Sequence, residues 1–193
     1  MRNEILLILN LIIVYGGVIL FYLFFRDRGL IAFTAAATVL ANIEVMLIVD
    51  AFGMEQTLGN VMFASTFLIT DILSENEGRD RANQAVNVGI GVSLLFIVVS
   101  QLWLLYQPSA NDWAFDSFKV LFTNTPRIVL AGFIVYVVVQ KIDIVLYHKW
   151  WSFTEKKFGD RHTMLWLRNN GSTLISQLLN AVLFNLLALL SAS

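Results

Sequence analysis

The stretch Ile5–Phe25, ILLILNLIIVYGGVILFYLFF, carries no charged side chain and one amide, Asn10. At about 1.5 Å per residue such a run crosses about 30 Å of hydrocarbon as a helix. A secretory leader has a shorter apolar core and a small-x-small cleavage site. This run ends instead in Phe24-Phe25-Arg26-Asp27-Arg28, so it is read as a retained first span. The rest of the chain has the same character. Of 193 residues, 58% are apolar and 14% charged, against about 25% charged in a soluble domain. A single soluble core of this size has no room for so much apolar surface, and the aromatic content excludes disorder. The expected fold class is all-α, a polytopic membrane protein with residues 1–193 as a single transmembrane domain.

Charges punctuate the apolar runs. Six spans are expected at about 5–25, 29–49, 57–73, 86–106, 127–147 and 171–190. Pro108 and Pro126 fall in the fourth loop, where helix breakers belong. The odd loops hold nine basic residues (Arg26, Arg28, Arg79, Arg81, Lys149, Lys156, Lys157, Arg161, Arg168) against Lys119 and Arg127 in the even ones. That bias puts the odd loops in the cytoplasm and both termini outside. Loop 5 mixes Trp150, Trp151, Phe153, Phe158 and Trp166 with its charges, the composition of a short helix lying in the interface. A weak internal echo pairs Ile43-Glu44-Val45 with Ile142-Asp143-Ile144, and Ser65–Asp71 with Ser172–Gln177, in the same order. Three helices per half would make the halves inverted, with a site at midplane between spans 2, 3, 5 and 6. Spans 1 and 4 would then face lipid.

The composition also excludes functions. A net charge of −1 gives no basis for nucleic-acid binding, and the absence of cysteine removes disulfides, thiolate nucleophiles and thiolate metal sites. Both histidines, His148 and His162, fall in loop 5, and no HExxH or Ser–His pairing lies within a span. Neither an enzyme nor a metal or cofactor site is expected.

A charge at membrane depth costs at least about 2.5–3.5 kcal/mol, so it calls for a use. Asn42 and Glu44 lie in span 2. Helical spacing aligns Asn60, Phe67, Asp71 and Glu75 in span 3, and Gly132, Tyr136, Gln140, Asp143 and Tyr147 in span 5. In span 6 it aligns Asn169, Thr173, Gln177, Asn180 and Phe184. Carboxylates and amides beside rings suit a flat, hydrogen-bonding solute. Each group also has a plainer reading: amides and hydroxyls as interhelical glue, Lys141 snorkelling to the cytoplasm, Asp71 paired with Arg79 or Arg81. Ala32, Ala36, Ala37 and Ala41 read as close helix packing.

Three strings carry a family resemblance: ASTFLITDILSENEG (Ala64 to Gly78), VVVQKIDIVLYHKW (Val137 to Trp150) and WLRNNGSTLISQLLN (Trp166 to Asn180). They resemble the signature segments of the queuosine precursor transporter family, six-helix membrane proteins akin to vitamin uptake transporters. The resemblance implies uptake of 7-deazaguanines such as preQ0 and preQ1 across the cell membrane. It implicates Thr70, Asp71 and Glu75, Gln140 and Asp143, and Arg168, Ser172, Thr173 and Gln177. Two positions depart from the family pattern: Asn180 stands where an Asp is usual, and Ala131-Gly132-Phe133 replaces Ala-Ser-aliphatic. On this reading either Asp143 or Asp71 accepts the two parallel donors of a guanine-type edge. Gln140 and Gln177 serve as amide partners, and Tyr136 or Phe67 is the stacking ring. The expected partners are the base and the lipid bilayer, with a homodimer left open. The alternative is a solute-binding subunit that works only with an energy-coupling partner, docked on the span 2 alanines.

Overall fold

The computed structural model describes residues 2–123, 125–158 and 165–190; the side chains of 124–131, 158, 168, 184, 185 and 187–190 are not among those described. In chain order the elements are α1 (Arg2–Glu44), β1 (Ile48–Ala51), β2 (Met54–Thr57), α2 (Gly59–Asn76), α3 (Arg79–Trp103), α4 (Phe115–Thr123), α5 (Thr125–Phe158) and α6 (Leu165–Leu190). Among the described residues, α1 and α3 are long and apolar enough to cross a membrane by length and composition.

Helix α1 is two antiparallel arms, 2–25 and 27–44, because Arg26 leaves helical geometry at φ 56°, ψ −142°. The reversal seats Phe21 edge-on against Phe33, ring centroids 5.3 Å apart, and brings Gly29 onto the Phe21 carbonyl. The two expected spans are thus joined by the shortest of turns. Between Arg28 and Arg79 there is no basic residue, and the next reversal, between α2 and α3, is also tight. Gly78 makes it at φ 86°, a conformation glycine adopts without a Cβ penalty. Asp27 meets Arg81 at 3.4 Å, so the Arg26 and Gly78 turns lie at one end of the bundle.

Val18, Leu30, Ile69, Leu73, Val86 and Ile144 form the main core at that end. Phe67, Val135 and Val139 join α2 to α5, with Leu179 and Leu183 of α6 packed against them. Of the alanine ladder, Ala37 and Ala41 pack inward with Val14 and Met62, whereas Ala32 and Ala36 are exposed. Gly89 of α3 sits where a Cβ would meet the methyls of Thr38 and Thr34 at 3.1 and 3.2 Å, so α1 and α3 touch through threonines more than alanines.

The all-α class holds, and three details differ from expectation. First, the described residues include one short two-stranded antiparallel hairpin, Ile48 opposite Thr57 through Ala51 opposite Met54. Helix α1 therefore stops at Glu44, short of 49. The β-branched Ile48-Val49 favours extended backbone, and Phe52-Gly53 at φ 53° and 73° makes the two-residue turn that matches strand twist. Second, the fourth loop contains a helix of its own, α4. Asp112 Oδ1 accepts from the backbone N–H of Ala114 and Phe115 at 2.8 and 2.6 Å and starts α4. Phe118 and Phe122 then dock edge-on against Trp103. Pro126 lies in the first turn of α5, where proline is tolerated. Third, no separate interfacial helix follows span 5 among the described residues. Nothing between Tyr147 and Phe158 breaks a helix, and α5 runs through Trp150, Trp151 and Phe153, with His148 stacked on Trp151 at 5.9 Å. Arg161 and His162 lie outside the described residues.

Candidate functional site: a ring-lined cavity above a file of buried polar groups

A cavity of about 630 Å³ opens between the second arm of α1, the hairpin, α2, α5 and α6. Amides of Asn42, Gln56, Asn60, Gln177 and Asn180 line it, together with the rings of Phe63, Phe67 and Tyr136. Gly132 leaves one wall without a side chain. That volume and mixture suit a small planar solute: rings to sandwich it and amides to satisfy its edge. Neither the first arm of α1 nor α3 supplies a lining residue among those described.

Seven residues singled out in the sequence line this cavity: Asn42, Asn60, Phe67, Gly132, Tyr136, Gln177 and Asn180. Their supports are specific. Asn42 donates to the Thr38 carbonyl at 2.8 Å and to Ser93 Oγ of α3 at 3.4 Å. Phe63 and Tyr136 rings stand 5.8 Å apart at 42°. The Tyr136 hydroxyl is buried against Gly89 and has no hydrogen-bond partner among the described residues.

Other expected residues continue from the cavity floor along α5. Gln140 is fully buried and donates to Thr66 Oγ1. One turn on, Ser176 Oγ donates to Asp143 Oδ1 at 2.8 Å, and Asp143 is also fully buried. Thr173, one turn from Ser176 on α6, donates to Asp71 Oδ2 at 3.4 Å. The same turn of α6 therefore meets both carboxylates, which independent gluing of separate helices would not require. Beyond them the Tyr147 hydroxyl donates to Glu75 Oε2 at 2.6 Å. Gln140 Oε1 and Asp143 Oδ2 are buried acceptors with no partner among the described residues. An unsatisfied buried acceptor costs about 1–3 kcal/mol, and two on successive turns of one stripe mark a place built to receive donors.

Some residues fall elsewhere. Glu44 lines a second cavity of about 300 Å³ with Asn3 and Asn10, away from the ring-lined one. Thr70 spends its hydroxyl on the Phe67 carbonyl of its own helix at 2.9 Å. Ser172 donates to the Asn169 carbonyl at 3.3 Å, and the Arg168 side chain lies outside the described residues. Lys141 donates to Asn87 and Asn83 of α3 at 2.7 and 3.2 Å, so its head is held by amides. Asp71 bonds Thr173, and Arg81 pairs with Asp27 instead. Glu55, Gln56, Thr57, Phe63 and Gly89 do not stand out in the sequence; the Phe52-Gly53 turn is the signal that could have drawn the hairpin in.

The Gly89 contact gives a test. A methyl there collides with the Tyr136 hydroxyl and two threonine methyls, and overpacking of this kind costs about 1–3 kcal/mol. Gly89→Ala should lower the thermal unfolding midpoint in detergent and tilt the Tyr136 ring toward the cavity. Adding Tyr136→Phe should restore most of that midpoint; equal losses in the single and double variants would contradict the contact.

An apolar helical bundle enclosing a polar, ring-lined cavity between its helices is the build of a membrane transport protein rather than an enzyme. The family model described as "Putative vitamin uptake transporter" matches residues 57–193, and the chain belongs to that family. A relative from Bacillus subtilis (strain 168), named "Probable queuosine precursor transporter", is 37% identical over 174 residues, which cover 90% of this chain and 73% of the relative. No solved structure matches.

Proposed function

We propose that this protein takes up a queuosine precursor, a 7-deazaguanine such as preQ0 or preQ1, across the plasma membrane as a multi-pass transporter of six spans. The observation that carries the reading is the stripe Tyr136–Gln140–Asp143, which starts at a cavity lined by rings and amides and in which Tyr136 Oη, Gln140 Oε1 and Asp143 Oδ2 have no hydrogen-bond partner among the described residues. A guanine-type edge offers an N–H and an adjacent amino group as parallel donors, which one carboxylate accepts together. Asp143 supplies that carboxylate and Gln140 the neighbouring acceptor. Phe67 and Tyr136 stack the ring, Gln177 and Asn180 meet its other edge, and Asp71 and Thr173 complete the wall. The relative's name and the match across most of the chain support the substrate class.

The two arms of α1, α2, α3, α5 and α6 make the six spans, with the Arg26 and Gly78 turns in the cytoplasm and the hairpin outside. The cavity then faces outward, and the bonds from Gln140 to Glu75 close the inner half. Lining from the second arm of α1, α2, α5 and α6 accords with two inverted halves rocking about a midplane site. A second reading, a binding subunit that needs an energy-coupling partner, is favoured only by the exposed Ala32 and Ala36.

The experiment is a binding titration of the purified chain with preQ0, preQ1, queuine and guanine, followed by uptake into liposomes holding this chain alone. A deazaguanine should bind at least about tenfold more tightly than its analogue lacking the exocyclic amino group, because that loss leaves a buried carboxylate oxygen unpaired. No binding of any deazaguanine would sink the assignment. Binding without transport in liposomes would select the subunit reading.

A further inference from the structure

The hairpin brings a group to the cavity that nothing else in the site resembles. Among the described residues lining the cavity, Glu55 is the one carboxylate. It is held by a closed strand pair: Leu58 N–H donates to the Leu47 carbonyl at 3.0 Å, and Ala51 is buried as the anchor. Its register partner is another carboxylate, Asp50. Like charges opposite one another across a ladder are unfavourable. No lysine or arginine is among the described residues that line the cavity. The carboxylate that lines the cavity thus has a second carboxylate opposite it on the hairpin, an arrangement that favours cations over anions beside Glu55.

We propose that Glu55 is a specificity residue for charge, selecting bases that bear a primary ammonium arm over neutral bases of the same ring system. The inference rests on the uptake of a deazaguanine argued above and names which members of that class the site prefers. The ring stacks among Phe63, Phe67 and Tyr136, and an arm directed at the hairpin meets the Glu55 carboxylate. Because Glu55 is exposed, the preference it confers is modest, about three- to fivefold, the range of solvent-accessible ion pairs.

The test uses the purified full-length chain, titrated with preQ1, whose aminomethyl arm is cationic, and preQ0, whose nitrile is neutral. In the wild type the affinity ratio should favour the cation, and raising salt from about 20 mM to about 500 mM should erode that ratio by screening. Glu55→Gln should lower the ratio about three- to fivefold and remove its salt dependence. Glu55→Lys should turn the preference toward the neutral base. If both bases bind the wild type and the ratio is the same in either variant, the role of Glu55 is overturned. If neither base binds the wild type, the reading of function falls and takes this inference with it.

Discussion

Asp143→Asn is expected to reduce uptake of the base by about 30- to 1000-fold while leaving the protein folded. Asparagine keeps an acceptor for Ser176, which holds Asp143 Oδ1 at 2.8 Å, so the α5–α6 contact survives. What changes is the second position. Asp143 Oδ2 is buried and has no partner among the described residues, and in the variant it becomes either an amide N–H₂ facing donors or a single neutral acceptor. Loss of one arm of a charge-assisted pair in a dry site costs about 2–4 kcal/mol, which gives the range stated. Labelled-base uptake in cells lacking their own transporter, scaled to membrane level, reads the effect. An analogue without the exocyclic amino group should lose far less between wild type and variant. Full uptake by the variant at normal membrane level would remove Asp143 from the site.

Gly29→Leu should have the largest effect on stability. Its Cβ would run into the Phe21 carbonyl oxygen and lie 2.7 Å from Phe25 Cβ, and the main chain cannot swing aside as a side-chain end can. The reversal at Arg26 seats Gly29 there, and Phe21, the residue it touches, also carries the edge-on contact with Phe33. The two arms must separate or the turn must rebuild, a loss in the class above about 4 kcal/mol. Thermal unfolding and size-exclusion profile in detergent report it. Gly16→Ala, where nothing lies within 4 Å, serves as the matched control and should be neutral or slightly stabilising. A Gly29→Leu protein as stable as the control would mean that the arms do not meet at this residue.

Much of the architecture is legible in one dimension. Uncharged runs separated by arginines mark the arms of α1 and their reversal, because a helix in hydrocarbon excludes charge while a turn at the surface attracts it. The stripes on α2, α5 and α6 follow from a period of 3.6, and the structure keeps Tyr136, Gln140 and Asp143 on one face. What spacing does not state is which neighbour a face will meet. Asn42 and Glu44, two apart in one helix, point to different cavities. Arg81 pairs with Asp27 although Asp71 is nearer in sequence, since the pairing depends on which turns share an end of the bundle. The hairpin escapes such a reading because eight strand residues around a Gly turn give too short a pattern beside an apolar helix. The close approach of Gly89 to Tyr136 is equally hidden, being a property of two helices at once.

The unbroken length of α5 has a mechanical consequence. Its 34 residues form a rod of about 51 Å, much longer than the hydrocarbon it crosses. The midpoint falls between Lys141 and Ile142, beside the Lys141 bonds to Asn83 and Asn87 and the Ser176 bond to Asp143. A stiff rod pinned at its centre is a lever. A rotation of about 10° about that fulcrum moves each end by about 4 Å in opposite directions. Under such a rotation the Tyr136 side of the pin and the Trp151–Lys157 side would move out of phase, with the least displacement around Lys141 and Asp143.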